Sequence, residues 1–377
     1  PAPFKNKNWI EEYYNESNNI SNIAYNDEKA LLFASKKLSR NKINKKYLIN
    51  FNNFFFSDDM GNIFAYSLEN RKIVFKYNFY KKHLKKIKKR LNIFIDNENI
   101  IVSDNVGYVY SINYLENKVN WAKNFGIPFY SNIKVKNNLI FLVNENNKIY
   151  FLDKFSGEKI FTFTSESVLI NTSLENNIAI ENDNLFFLNS GGKLHSFNIK
   201  TKQLNWVLNL KKGKSGDSNL FNSKPLTLNN GKILSSANNN LTLIDANSGK
   251  YNWTYNIISK TKPVLSGDYA YVLTKKNLLM CINSLEGNIV WSKNLITNIR
   301  NSYSKKIINK LGAIEYMSIV ENKIVLISKN SYYVEISPLN SKILKISKIK
   351  SRPINAPIFV NGYLYFLDKS KKILVFN

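Results

Sequence analysis

The sequence predicts an all-β fold, an eight-bladed β-propeller of four-stranded antiparallel blades. Two observations predict it: a pattern that recurs seven times along the chain, and strand-like segments at both ends. Repeats of about 40 to 50 residues that consist of strands are typical of propellers, with one sheet in each repeat. Because the pattern extends almost from end to end, we expect residues 1–377 to form a single domain.

Each copy of the repeat contains a turn residue, an alternating apolar run, a second turn and a strand with a large side chain. We call this side chain the anchor. Alternation of apolar and polar residues indicates strands, and a further pair of apolar strands precedes most copies. The anchors are Phe75, Trp121, Phe161, Trp206, Trp253, Trp291 and Lys345, separated by 46, 40, 45, 47, 38 and 54 residues.

Two turns in each repeat are indicated by residue type. Glycine and asparagine tolerate positive φ, and short polar side chains cap turns through local hydrogen bonds. The first turn, fourteen residues before the anchor, is predicted at Gly61, Gly107, Asn147, Gly192, Asn239, Asn277 and Ser331. Capping of the second turn is predicted for Asn113, Asp153, Asn198, Asp245 and Asn283.

The two ends of the chain supply the eighth blade. The chain finishes with the apolar run Ile373-Leu374-Val375-Phe376, which has the character of a third blade strand without its partner. The segment around Trp9 resembles an anchor strand. We therefore expect it to pair with residues 371–377, since closure of this kind removes an open sheet edge. Seven blades with a terminal appendage is the alternative count.

Composition indicates a packed chain without a membrane-spanning helix. Apolar residues make up 44% and aromatic residues 14% of the sequence, which is ample for a core. No apolar run approaches the roughly 18 residues that a spanning helix needs. The chain begins at Pro1 without a leader sequence, so we expect any targeting segment to lie outside it. The single cysteine, Cys281, is interpreted as a small buried apolar residue.

The net charge of +27 favours an anionic partner, such as an anionic membrane surface or an acidic protein. The alternative is compositional drift, because lysine, asparagine and isoleucine are abundant throughout the sequence. Arginine, the residue that best forks onto phosphate and guanine, is scarce. We therefore expect no nucleic-acid partner.

Two basic segments interrupt the repeat. In residues 80–91, Leu84, Ile87 and Leu91 recur at helical spacing, which would give a short amphipathic helix able to lie on an anionic membrane. The alternative is a solvated loop between blades whose apolar residues cover the neighbouring blade. Residues 304–311 are interpreted as a similar insertion, because they account for the long spacing before Lys345.

The repeat resembles the PQQ-like repeat, in which a turn glycine, an Ala-Leu-Asp-x-x-x-Gly run and a tryptophan follow in order. The most similar copies are Leu243-Ile244-Asp245-Ala246-Asn247-Ser248-Gly249 leading to Trp253, and Phe151-Leu152-Asp153-Lys154-Phe155-Ser156-Gly157 leading to Phe161. Length, blade count and terminal closure further resemble the BamB family of outer-membrane protein assembly lipoproteins. This resemblance extends over essentially the whole chain.

The resemblance implies a non-enzymatic scaffold without a cofactor or metal. It implies a periplasmic location at the inner face of the outer membrane, through a lipidated N-terminal cysteine that would precede Pro1. The implied partners are a BamA-type barrel-insertion protein and other subunits of the assembly machinery, with one copy of the chain in the complex.

The same resemblance implies two partner-binding loops between blades three and five. In the first, Val168, Leu169 and Ile170 supply the apolar contact, and Asn171 stands where the family has an arginine. In the second, Leu220 and Asn222 stand at acidic positions, so neither charge is kept. The alternative for residues 165–171 is an ordinary connection between blades.

Quinone-dependent dehydrogenases share this repeat and provide the enzymatic alternative. Such an enzyme needs a catalytic aspartate and a calcium site of carboxylate and amide oxygens. The chain contains only 27 acids. Its dense acidic spots, Asp58-Asp59 and Glu181-Asn182-Asp183-Asn184, adjoin predicted turns, where such residues are common without catalysis. We expect no catalytic activity.

Overall fold

The computed structural model of this chain is an all-β, eight-bladed β-propeller, as the sequence predicted. It describes residues 1–26, 28–81, 84, 86–166, 177–211, 221–349, 353 and 356–377. The described residues group into two compact units with four blades each. The prediction of a single domain remains a prediction.

The early unit contains Lys7–Glu16 and Lys37–Asn222. Its strands follow one another as antiparallel neighbours within each blade. Blade one is β2 (Ile43–Asn50), β3 (Asn53–Asp58), β4 (Asn62–Ser67) and β5 (Lys72–Asn78); blade two is β6 (Leu91–Asp96), β7 (Asn99–Asp104), β8 (Tyr108–Asn113) and β9 (Lys118–Asn124); blade three is β10 (Lys134–Lys136), β11 (Leu139–Val143), β12 (Lys148–Asp153) and β13 (Lys159–Thr164); blade four is β14 (Asn177–Glu181), β15 (Asn184–Leu188), β16 (Lys193–Asn198) and β17 (Leu204–Asn209).

The late unit contains Pro1–Asn6, Ser17–Lys36 and Ser223–Asn377. Blade five is β18 (Thr227–Asn229), β19 (Lys232–Ala237), β20 (Asn240–Asp245) and β21 (Tyr251–Tyr255); blade six is β22 (Val264–Ser266), β23 (Tyr269–Leu273), β24 (Leu278–Asn283) and β25 (Ile289–Asn294); blade seven is β26 (Ile314–Val320), β27 (Lys323–Ser328), β28 (Tyr332–Ile336) and β29 (Ile343–Lys348); blade eight is β30 (Ile358–Val360), β31 (Tyr363–Leu367), β32 (Ile373–Phe376) and β1 (Leu31–Ala34).

The insertion before blade seven folds as two short helices, α1 (Leu295–Ser302) and α2 (Lys305–Leu311). Asn294 caps α1, since its side chain accepts hydrogen bonds from two backbone N–H groups of the first turn. Leu295, Ile299 and Leu311 are buried and pack in the core of blades six and seven. The predicted insertion is therefore confirmed, and it is helical.

Of the basic segment 80–91 the structure describes residues 80, 81, 84 and 86–91; these contain no α-helix, and Leu91 begins strand β6. Tyr80 is buried, and its hydroxyl donates a 2.5 Å hydrogen bond to Asp104. Lys89 is also buried and donates to the carbonyl of Ile87 at 2.7 Å. The bond from Tyr80 to Asp104 ties this segment to the end of β7 in blade two, whereas helical spacing describes only local contacts.

The predicted anchors lie in the last strand of blades one to seven, next to the same irregularity in the strand pairing. In each of these blades one residue of the last strand is bulged out directly before the anchor. The Trp121 indole donates to the carbonyl of Lys154 at 2.9 Å, and the Trp291 indole donates to Pro338 at the same distance. A bulge increases the local twist, and here it accompanies a tryptophan that bonds the turn of the following blade.

The predicted turns are confirmed with one shift of register. Positive φ is found at Gly61, Gly107, Asn147, Gly192, Asn277 and Ser331, but in blade five at Asn238 rather than Asn239. Asn238 and Asn239 form this turn between the paired residues Ala237 and Asn240, and Asn238 has the positive φ. The predicted capping residues accept local backbone hydrogen bonds, as Asp153 does from Phe155 and Ser156.

The predicted partner of the C-terminal strand was wrong. Blade eight combines strands from both ends of the chain, as expected, but β1 pairs with β32, not the segment around Trp9. Trp9 instead forms an antiparallel bridge with Ile49 in blade one. An exposed apolar strand such as Leu31–Ala34 carries no anchor residue, so the repeat pattern did not reveal it.

In the early unit, residues 7–16 cross the first strand of each blade. Every first strand is an edge strand of its sheet, with backbone groups that the sheet leaves unpaired. The penultimate residue of that strand bonds the crossing segment in blades one, two and four. In blade one, the Trp9 N–H donates to the carbonyl of Ile49 at 2.7 Å and the Ile49 N–H donates to the carbonyl of Trp9 at 2.9 Å. In blades two and four, the Ile95 N–H donates to the carbonyl of Ile10 at 3.0 Å and the Ile180 N–H to that of Glu16 at 2.8 Å.

Blade three uses side chains for the same purpose. Lys134 of its first strand is fully buried and forms an ion pair with Glu11. The ammonium also donates to the carbonyl of Asn15 at 2.7 Å. Burial lowers the pKa of Lys134 and raises the pKa of Glu11, and the attraction between the two charges opposes both shifts.

In the late unit, residues 1–6 and 17–26 meet the first strands of blades five to eight at the same strand position. The bonds are Leu228 N–H to Ser17 at 3.0 Å, the Asn19 amide to Leu265 at 2.9 Å, Ile23 N–H to Ile319 at 3.1 Å, and the Asn6 amide to Phe359 at 2.7 Å. In each unit the N-terminal residues therefore satisfy backbone groups that would otherwise be left on sheet edges.

Replacing Glu11 with alanine leaves the buried Lys134 ammonium without its counter-charge. We expect the free energy of unfolding in urea to fall by about 3–5 kcal/mol. Removing the acid of the more exposed Lys123–Glu158 pair with Glu158→Ala is the matched control, expected to cost less than about 1 kcal/mol. The double variant Glu11→Leu/Lys134→Met should recover most of the loss, because no charge stays buried. Equal effects of the two alanine variants would contradict this account.

Contact between an anchor and the next blade is tested at Gly157. Its φ is +71°, and a Cβ added there would lie 2.4 Å from the Trp121 ring. Gly126 has φ of +72° and no atom within 4 Å of its would-be Cβ. Both alanine variants carry the same backbone strain, so Gly157→Ala should lose about 1–3 kcal/mol more stability than Gly126→Ala. If the two variants unfolded at the same urea concentration, the Trp121 ring would have to move away from the new methyl group without cost.

Candidate partner-binding site

The predicted partner-binding residues belong to the connections that enter and leave blade four. Val168, Leu169, Ile170, Asn171 and Leu220 lie outside the described residues. Asn222 is described: it is exposed in the connection that follows β17. The described ends of both connections show how the early unit holds this region.

The first connection begins at Ser165, which is buried at the end of β13. Its N–H donates to the carbonyl of Asn147 at 3.2 Å. Its hydroxyl accepts a 2.8 Å hydrogen bond from the Asn189 amide and lies 3.2 Å from Nε2 of His195. Three contacts to two blades therefore fix the start of the connection.

His195 lies on β16 and is buried against aromatic rings. It stacks on Phe187, with ring centroids 5.3 Å apart, and meets Phe163 edge to face at 5.6 Å. Burial lowers the pKa of the imidazole below its usual range. A neutral imidazole beside a buried serine is suited to positioning the chain, because neither group is open to a substrate.

A surface ion pair marks the next residue of the connection. Glu166 is largely exposed, and its carboxylate pairs with Lys193 of blade four at 2.5 Å. The hydrogen bond from Lys193 lowers the pKa of the Glu166 carboxyl. An exposed pair of this kind contributes little stability, but it joins the connection to the hairpin of blade four.

The second connection is held by the same hairpin. The N–H of Leu210 donates to the carbonyl of Gly192 at 2.8 Å, and the buried Phe221 ring packs on that glycine. A Cβ at Gly192 would lie 2.8 Å from the ring, and its φ is +92°. Only glycine combines this backbone conformation with this close approach. Hairpin 189–193 of blade four therefore anchors the start of one connection and both described ends of the other.

Sequence reasoning missed Ser165, His195 and Phe221 as residues that fix the two connections. The sequence pattern does not show that Ser165 lies beside His195. Their separation of 30 residues spans a whole blade boundary. No local pattern reports a contact of this kind.

The acidic spots have structural partners. Asp58 accepts backbone hydrogen bonds from Met60 and Asn62 at 3.0 Å each, and thereby caps the hairpin of blade one. Asp183 pairs with Lys200 at 2.8 Å. Across the part of the chain that the structure describes, no group of three or more His, Cys, Asp or Glu side chains is arranged to hold a metal ion.

Comparison with known proteins gives a family and a fold. The family model described as outer membrane protein assembly factor BamB matches residues 52–293. No curated protein matches the sequence.

Three solved structures illustrate the likeness of fold. BamB from Moraxella catarrhalis has a TM-score of 0.69 at 12% identity, covering 92% of this chain and 99% of its own. The computationally designed Ika8 protein has a TM-score of 0.67 at 10% identity, with the same coverage. Quinohemoprotein alcohol dehydrogenase from Comamonas testosteroni has a TM-score of 0.68 at 9% identity, covering 98% of this chain and 80% of its own.

The buried histidine predicts a pH dependence of stability. Because the folded pKa of His195 lies below its ordinary value of 6.5, the unfolded chain binds a proton that the folded chain rejects. Its contribution to stability is complete above about pH 6.5 and is lost as the pH falls toward the folded pKa. Unfolding free energies of the wild type and of His195→Gln should therefore converge or cross between pH 7.5 and about 5.

The control for this prediction is an NMR titration of the His195 ring in the folded protein. A folded pKa at or above 6.5, or parallel stability curves for the two proteins, would contradict the buried neutral imidazole.

Proposed function

We propose that this chain, which belongs to the family described as outer membrane protein assembly factor BamB, is a non-enzymatic scaffold subunit of the outer-membrane barrel assembly machinery. The observation that carries the proposal is the family match over residues 52–293, within an eight-bladed propeller. In this proposal the protein holds other subunits in place and performs no chemical step.

The proposed partner is the set of periplasmic domains of a BamA-type barrel-insertion protein. The proposed contact is the pair of connections around blade four, with Val168, Leu169, Ile170 and Asn171 in the first and Leu220 and Asn222 in the second. Two features support this choice. Three consecutive apolar residues can supply a desolvated contact, and both connections are tied to hairpin 189–193, so their described ends have fixed positions.

The described residues also favour a scaffold over catalysis at this place. Ser165 and His195 are the groups here that could form a nucleophile and a base, and both are buried. The histidine is held among aromatic rings, and the serine hydroxyl already accepts a hydrogen bond. A hydrolytic pair would need an open approach for its substrate.

The proposed location is the periplasm, at the inner face of the outer membrane, through a lipid anchor attached ahead of Pro1. The family supports this location. None of the described helices is long and apolar enough to span a membrane.

A second candidate function uses the basic surface rather than the two connections. The net charge of +27 favours a contact with an anionic membrane surface or with another periplasmic partner of negative charge. The two candidates differ in salt dependence, because charge-driven contacts weaken steeply with ionic strength and apolar contacts much less.

The test is binding of Ile170→Glu to the periplasmic domains of the BamA-type protein from the same organism, at low and high salt. A buried charge in an apolar contact should weaken the complex by about tenfold or more at both salt concentrations. Ile160→Glu is the matched control, because Ile160 is exposed on β13 of blade three and lies outside the proposed contact. Circular dichroism should show both variants folded.

Unchanged affinity of Ile170→Glu, or an equal loss in the control, would remove the proposed contact. Binding that disappears at high salt in the wild type would favour the basic surface instead. No binding at either salt concentration would leave the family and the fold, and would refute this partner.

A further inference from the structure

A second candidate site lies in the late unit, among α2 and the hairpins of blades seven and eight. It is a pocket of about 1140 Å³, large enough for a small organic ligand. Its lining comprises Asn309, Lys310, Asn330, Ser331, Tyr332, Lys348, Ile349, Asp368, Lys369 and Ser370. The helical insertion supplies one wall, so the pocket depends on the element that distinguishes this part of the chain from the other repeats.

The pocket carries a local excess of positive charge. Lys310, Lys348 and Lys369 line it, against one acid, Asp368. Within the described part of the chain, none of the three lysines has a carboxylate within ion-pair distance, whereas several other lysines do. Lys348 lies over the Tyr332 ring, 5.8 Å from its centroid, which orients the ammonium at the wall. Several ammonium groups around one pocket repel one another and favour an anionic occupant.

Ser331 contributes an unused hydrogen-bonding group. The residue is buried at 1% exposure, and among the residues that the structure describes its hydroxyl has no hydrogen-bond partner. A buried hydroxyl without a partner is unfavourable and uncommon in folded proteins. Ser331 lines the pocket, so a ligand that reached its hydroxyl would complete this hydrogen bond.

The backbone of Ser331 is left-handed. Ser331 has φ of +68°, a conformation that favours glycine and asparagine. The corresponding hairpins place glycine or asparagine there in blades one to six, at Gly61, Gly107, Asn147, Gly192, Asn238 and Asn277, and lysine in blade eight, at Lys371. Backbone strain that is retained with a polar side chain is typical of binding sites.

We propose that this pocket binds a phosphate monoester carried by a sugar or by a lipid headgroup. A dianionic phosphate offers oxygens to several ammonium groups and to a hydroxyl at once, which matches the lining. The volume exceeds what inorganic phosphate needs and leaves room for the group that carries it. The asparagines of the wall, Asn309 and Asn330, can meet the hydroxyls of a sugar or glycerol.

Binding is measured by calorimetry with glucose 1-phosphate and by flotation with phosphatidylcholine vesicles that contain phosphatidic acid. The wild-type protein should bind at least one of these probes saturably, and plain phosphatidylcholine vesicles should not bind. Saturable binding of glucose 1-phosphate identifies a soluble phosphate ester as a sufficient ligand. Binding of the phosphatidic acid vesicles alone identifies the lipid headgroup as the source. No binding of either probe overturns the proposal.

Two variants separate this pocket from general surface charge. Ser331→Gly removes the hydroxyl at a position where glycine relieves backbone strain, so the fold should persist while affinity falls roughly fivefold. Lys310→Gln/Lys348→Gln/Lys369→Gln should lose affinity by about tenfold or more. The matched control, Lys276→Gln/Lys293→Gln/Lys345→Gln, removes the same charge from exposed positions of the late unit outside the pocket. An equal loss in this control, or full affinity in Ser331→Gly, overturns the proposed site.

Discussion

Hydrogen bonding of sheet edges by the N-terminal residues is the constraint on which the rest of the structure depends. The first strand of every blade leaves one row of backbone groups without a sheet partner. In seven blades the same strand position, the penultimate residue, bonds the N-terminal residues, and in blade three the buried Lys134 takes over this role. In each unit the N-terminal residues thus supply hydrogen-bond partners for edge-strand backbone groups that have none within their own sheets.

The N-terminal segment also contains several of the chain's few acidic residues. The chain has 27 acids against 54 basic residues, yet Glu11, Glu12 and Glu16 fall within six consecutive residues. Each of them pairs with a lysine of blade one or blade three: Lys134, Lys46 and Lys136. Acids that are committed to the early unit in this way cannot neutralise other surfaces. Among the described residues, the pocket-lining Lys310, Lys348 and Lys369 have no carboxylate partner of this kind.

Packing between successive blades follows from one local device. Beside the bulge, the anchor ring meets the next blade where Trp121 contacts Gly157 and Trp253 contacts Gly287. Glycine is required at these turns because both the positive φ and the ring forbid a side chain. The hairpin at Gly192 uses the same principle, with Phe221 as the ring, and there it fixes a connection rather than a strand. A shared rule of packing thus serves both the fold and the candidate partner-binding site.

The sequence by itself determined the repeat, the anchors, the turns and the family, because alternation, glycine and asparagine act over a few residues. It did not determine which early segment completes blade eight: Trp9 looks like an anchor, yet it bonds Ile49, while Leu31–Ala34 pairs with β32. For the candidate site it supplied the apolar run 168–170, but not Ser165, His195 or Phe221. Tertiary structure decided these points because the contacts involve backbone groups or residues far apart in sequence. A backbone hydrogen bond is available to almost any residue type, so it leaves no pattern to read.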